Sequence, residues 1–100
     1  MASSLTSKQR RHLRGLAHAL QPVVQVGDAG VSDAVAAAAE EALAHHELIK
    51  VRFQQGDRGE RRGMTETLCA ATGAELVQEI GRMAVLYRPA EEPEIQLPGD

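Results

Sequence analysis

The chain has 100 residues, 43% of them hydrophobic and 25% charged, a profile that fits one soluble globular domain with a single core. One cysteine excludes an intramolecular disulfide and suits a reducing, cytoplasmic setting, and no apolar run is long enough to cross a bilayer. The net charge of −3 is unevenly spread: residues 1–27 hold Lys8, Arg10, Arg11 and Arg14 with no acid, while the last twelve hold Glu91, Glu92, Glu94 and Asp100 with no base. A polyanion would therefore be met by a local patch, not by bulk charge.

Thr6 and Gln9 form a capping-box pattern, and Leu13, Leu16, Ala17 and Leu20 follow at helical spacing, which predicts a helix over about 7–19. The Ser- and Arg-rich start, residues 1–14, superficially resembles an organelle transit segment. Because it reads as a capped helix leading into a strand, it is assigned to the fold. Lys8, Arg11, Arg14 and His18 fall opposite the apolar stripe, on one exposed face. Pro22 stops the helix, and residues 23–26 predict a short strand with bulky residues on both faces, as in a sheet interior. Ser32 caps a second helix with a small-residue stripe, Val35, Ala38, Ala39, Ala42 and Leu43. Residues 48–53 alternate: Ile49, Val51 and Phe53 face one way, Leu48, Lys50 and Arg52 the other.

Asp57 and Glu60 start a third helix, with Met64, Leu68 and Ala71 inward and Gly73 as its left-handed stop. Arg58, Arg61 and Arg62 cluster in its first turns, where they either extend the basic surface or are simply solvated, the second being the preferred reading. Residues 76–80 and 83–88 predict two strands joined by a tight Gly81-Arg82 turn, the last apolar on both faces and hence interior. Beyond Pro89 an acidic tail, 89–100, reads as largely irregular and loosely draped. The order α-β-α-β-α-β-β predicts a two-layer α/β domain over residues 1–88 with a small four-stranded mixed sheet, its last strand antiparallel.

The stretch with most chemistry is Gly27-Asp28-Ala29-Gly30, a G-x-x-G loop between a strand and a capped helix. Glycines let the backbone take φ > 0 and approach a ligand closely. The helix N-terminus beyond them favours a phosphate. Taken alone, two glycines in a strand-to-helix turn are a weak signal.

Leu5-Thr6-x-Lys8-Gln9, Pro22-Val23-Val24-x-x-Gly27-x-x-Gly30, the block His45 to Val51, Thr72-Gly73 and Ile80-Gly81-x-x-x-Val85-Leu86-Tyr87-Arg88 together resemble the bacterial stand-alone CRM-domain proteins of the YhbY family, whose fold is akin to the C-terminal domain of translation initiation factor three. The resemblance spans residues 5–98. It implies strand order 1-2-4-3 and an RNA-binding, non-catalytic protein acting on ribosomal RNA of the precursor large ribosomal subunit during its assembly. It places the RNA contact on Gly27, Asp28, Ala29 and Gly30 with Lys8, Arg11 and Arg14, and extends to Lys50, Arg52 and Arg88. Asp28 departs from what a phosphate-gripping loop needs, since an acid there repels the ligand. With one Phe, one Tyr and no Trp, stacking platforms are scarce, so recognition should rest on sugar-phosphate and RNA shape. On this reading Gly30→Asp abolishes binding with almost no change in thermal midpoint.

No cofactor, metal or small-molecule substrate is implied, and a monomer is expected. Cys69 reads as a small core residue, and the histidines lack the spacing of a zinc motif. The rival reading is a protein-interaction adaptor on the ribosome, the glycine loop being only a turn.

Overall fold

The computed structural model describes residues 5–99. Met1–Ser4, the beginning of the basic segment, and Asp100, the last acid of the tail, lie outside the described residues. The elements are α1 (Ser7–Ala17), β1 (Pro22–Val26), α2 (Asp33–His46), β2 (Leu48–Phe53), α3 (Arg58–Thr72), β3 (Glu75–Ile80) and β4 (Met83–Tyr87).

Their ends follow from local chemistry. The Thr6 hydroxyl accepts the Gln9 N–H and the Gln9 side chain accepts the Thr6 N–H, both at 3.1 Å. Asp57 and Glu60 repeat the reciprocal pair at α3, and Ser32 accepts the Val35 N–H at 3.2 Å. These caps satisfy backbone donors that have no partner inside the helix. Gly73 closes α3 at φ 77°, in the left-handed region. Helix α1 ends at Ala17, two residues short of the expected end. There the N–H groups of His18 and Leu20 turn to carbonyls three residues back, which tightens the chain out of the α-helix.

The sheet has the order β1-β2-β4-β3, with β1 parallel to β2 and β4 antiparallel to both β2 and β3. The expected α/β class, element order, mixed four-stranded sheet and interior position of β4 are all present. Helices cover both faces, however, so the layering is three rather than two. On one face α2 and α3 bury Ala39, Leu43 and Leu68 against Val24, Val26, Ile49, Val51, Phe53, Ala84 and Leu86. On the other, α1 lays Leu13 and Ala17 on Leu48, Val77, Val85 and Tyr87.

Three sequence expectations fail for identifiable reasons. Strand β1 is an edge, pairing only with β2 and irregular between Pro22 and Val24, so Val23 is 52% exposed. Leu16 is 42% exposed, because α1 sits on Leu13 and Ala17 while Arg10 reaches the carbonyls of Leu76 and Val77 on β3. Ala71 faces outward. The inner positions of α3 go to Leu68 with Thr65 and Thr72, whose hydroxyls donate to carbonyls one turn back at 2.9 and 2.8 Å and so stay satisfied in the core.

Among its described residues the tail has no helix or strand, yet it is held firmly rather than loosely draped. Ile95 and Leu97 pack with Leu5 and Leu20 on the core under α1, and Gln9 donates to the Pro98 carbonyl at 3.1 Å. Its anchor is Glu47, at the end of α2 with φ 63° and only 4% exposed. The Glu47 carboxylate accepts N–H groups from Ala90 (3.3 Å), Glu94 (2.9 Å) and Ile95 (3.3 Å).

Removing that carboxylate leaves part-buried N–H groups without an acceptor, at roughly 1–3 kcal/mol for a truly orphaned group. Glu47→Ala should therefore lower stability in urea unfolding by about 2 kcal/mol, with Glu47→Gln, which keeps one acceptor oxygen, costing less. Equal midpoints for Glu47→Ala and the parent chain would mean that the tail is not latched.

Candidate nucleic-acid interface

The glycine loop leaves the end of β1 and turns into α2. Gly30 takes φ 69°, while Gly27 has no positive φ. The Gly30 N–H bonds to the Gly27 carbonyl and the Ser32 N–H to the Gly30 carbonyl, each at 3.0 Å. The turn itself thus requires glycine only at residue 30. A side chain at residue 27 would meet Gln54 Oε1 at an ordinary 3.5 Å, so the fold does not demand the bare backbone there. A side chain at 30 would have room, 4.0 Å from Met64 Sδ, but would be strained by about 1 kcal/mol. Gly30→Asp therefore carries a modest stability cost, contrary to the expectation of an unchanged midpoint.

The segment after β2 braces the loop. The Gln54 N–H bonds to the Val26 carbonyl at 2.9 Å and its side-chain amide to Gln25 Oε1 at 3.1 Å. The Gln55 side-chain amide donates to Asp28 Oδ1. Asp28, the awkward acid, is thereby engaged across the surface by a neutral donor, and Ala29 at the tip is exposed.

Register explains what lies beside the loop. Lys50 pairs with Val85, which pairs with Gln78; two residues on, Gln25, Arg52, Met83 and Ile80 form the next rung with side chains on the same face. A crevice lined by Arg14, Ala17, His18, Lys50, Gln78, Ile80 and Val85 sets the end of α1 against the first of these rungs and against Ile80 of the second. Of the second rung, Ile80 lines that crevice while Gln25 and Arg52 lie outside it. Arg52 and Gln25 are exposed and Ile80 is 50% exposed. The result is an open shelf, walled by Arg14 and His18, floored by Lys50 and Arg52, and topped by the glycine loop that follows Val26.

Arg11 and Lys8 continue the row Lys8, Arg11, Arg14, His18 down α1 for about 15 Å at 1.5 Å per residue. That row leads away from the shelf, because the first turn of α1 lies by Tyr87, Glu75 and the tail. Arg88 is elsewhere: it pairs with Glu40 at 2.6 Å and donates to the Thr72 carbonyl at 2.8 Å. The hydrogen bond from Arg88 to Glu40 holds the Glu40 carboxyl below its ordinary range, and Arg88 is a staple between α2, α3 and β4. Lys8, Arg11, Arg14, Lys50 and Arg52 have no ion-pair partner among the described residues.

Residue-by-residue reading of the sequence missed Gln54, Gln55 and Arg82 at this end of the sheet. Arg82 donates to the Gln54 carbonyl at 2.9 Å. Only the hairpin turn hinted that it would come near, and nothing local to the glutamines marks them. Both aromatic side chains are core, Phe53 at 2% and Tyr87 at 4% exposure, so neither offers a ring to a base.

Among the described residues no three His, Cys, Asp or Glu side chains gather as metal ligands. Cys69 lies part-buried on α3, where burial, then the Glu75 and Glu66 carboxylates, push its thiol up to about 11.

The CRS1 / YhbY (CRM) domain model matches residues 5–88. A Haemophilus influenzae protein named "RNA-binding protein" is 47% identical over 96 residues, covering 96% of this chain and 97% of its own. YqeI of Bacillus subtilis, named a "Probable RNA-binding protein", is 42% identical, with coverage of 94% and 99%. The solution structure of a hypothetical protein from Staphylococcus aureus superposes with a TM-score of 0.82 at 43% identity, covering 94% of this chain and 99% of that one.

A thiol pKa near 11 leaves roughly 100-fold less thiolate at pH 8 than one near 9. Alkylation of Cys69 by iodoacetamide at pH 8 should be about that much slower in the folded chain than in urea, where burial and the nearby carboxylates no longer act. Equal rates in the two states would show an activated or unprotected thiol.

Proposed function

Because the chain belongs to the CRS1/YhbY (CRM) domain family, we propose that it binds RNA, that the RNA is ribosomal RNA of the precursor large ribosomal subunit, and that it serves assembly of that subunit in the cytoplasm without catalysing a reaction. The grip is the loop Gly27, Asp28, Ala29 and Gly30 together with the shelf of Arg14, Lys50 and Arg52. Arg11 adds to it along α1, while Lys8, in the first turn beside the tail, and Arg88 are no part of it.

The observation that carries the reading is the exposed pair of Gln25 and Arg52 beside the loop. Bare backbone at Gly27, which the fold does not need, lies next to cations without ion-pair partners among the described residues. A phosphate can approach such a backbone closely, and the first turn of α2 adds N–H donors and the positive end of a dipole. Asp28 is the opposing charge; its hydrogen bond from Gln55 draws it across the surface. With Phe53 and Tyr87 buried, contacts go to sugar-phosphate and RNA shape, so affinity depends steeply on salt and only modestly on sequence.

Fluorescence anisotropy of the full chain with a labelled fragment of precursor large-subunit RNA, over a salt series, tests this. Each phosphate contact contributes roughly 0.7–0.9 to the slope of log affinity against log salt. Lys50→Ala/Arg52→Ala should lower that slope by about 1.5, and Gly27→Ala should weaken binding while leaving the thermal midpoint within a few degrees. RNA binding that does not change with salt, or no binding at low salt, would overturn the reading; the latter would leave a protein-interaction adaptor.

A further inference from the structure

On the opposite side of the sheet from the shelf, a cleft of about 290 Å³ opens between the first turns of α3 and the β3–β4 hairpin. That volume is at the small end of ligand sites. Arg58 and Arg61 stand on its rim, Gly81 closes one side, and Phe53 and Ala84 lie beneath. Arg58 is exposed and has no ion-pair partner among the described residues. Arg61 is half-buried, held by a 2.7 Å bond from its Nη1 to the Gly56 carbonyl, so its guanidinium is positioned at little further entropic cost.

Among the described residues Glu79 is the one acid lining the cleft, and Arg62 occupies it through two bonds of 3.0 and 3.3 Å. Asp57 and Glu60, the nearest other acids of α3, turn their carboxylates onto each other's backbone N–H groups in the capping box. Arg82 leaves the same hairpin to hold the Gln54 carbonyl, beside the segment that braces the glycine loop.

Cationic groups therefore flank the loop end of the sheet on both faces. We propose that this cleft is a second RNA contact, seating one nucleotide unit of the strand that crosses the glycine loop, with its phosphate on Arg58 and Arg61 and its sugar over Gly81. The assignment rests on the RNA-binding reading above. It differs in requiring the RNA to straddle the end of the sheet instead of lying on the shelf alone.

Two variants act in opposite directions. Arg58→Gln removes a phosphate partner, and Glu79→Gln removes the carboxylate that lines the cleft. In the same anisotropy salt series, Arg58→Gln should weaken binding several-fold and lower the salt slope by about one. Glu79→Gln should tighten binding, with circular dichroism confirming that both variants fold. Wild-type affinity and slope in both, while Lys50→Ala/Arg52→Ala is impaired, would overturn the cleft and leave the shelf. Absence of RNA binding by the parent chain would instead remove the reading on which the cleft rests.

Discussion

The architecture depends on β4 being apolar on both faces. Ala84 to Tyr87 are all buried because β4 lies between β2 and β3 with helices above and below. A strand so placed can face neither side with charge at tolerable cost. Its antiparallel pairing then fixes which residues share a rung. Lys50 joins Val85 and Gln78 under the end of α1, and Arg52 joins Met83 and Ile80 beyond it. The open shelf follows from where α1 stops against that register.

Why α1 stops there is a matter of long-range anchors. Arg10 ties its first half to the carbonyls of Leu76 and Val77, Gln9 ties it to Pro98, and Leu13 and Ala17 complete the core contact. The tail closes over the same end, held by the Glu47 carboxylate. One end of the sheet is thus covered by α1 and tail, while at the other the glycine loop, the Gln54-Gln55 segment and the Gly81-Arg82 hairpin meet. Burial and the Glu47 and Glu75 carboxylates push the Tyr87 hydroxyl up, a mark of how closed the first end is.

Features written within three or four residues were legible in the sequence. Both capping boxes, the Ser32 cap, the Gly73 stop and the alternation of β2 appear where spacing placed them. Features that need partners tens of residues away were not. Nothing around Glu47 indicates that it will accept N–H groups from residues 90, 94 and 95. Nothing around Leu16 indicates that Arg10 will set the rotation of α1 and turn it outward. The row Lys8, Arg11, Arg14, His18 was correct as a helical face, but which end of it meets the loop depends on the direction of α1 across the sheet. Nothing around Arg88, an RNA contact on the family resemblance, indicates that it will pair with Glu40 and donate to the Thr72 carbonyl. Asp28 could not be weighed without Gln55, which lies on another strand's exit.

On the proposed reading, RNA meets the loop end of the sheet, not the end closed by the tail. Backbone amide shifts of the ¹⁵N-labelled chain, followed during titration with a precursor large-subunit RNA fragment, test it most directly. The largest perturbations should fall at residues 27–30, 52 and 80–83, with residues 88–97 and the last turn of α2 unchanged. Perturbations gathered at Glu47, Arg88 and the tail, with the glycine loop silent, would contradict it.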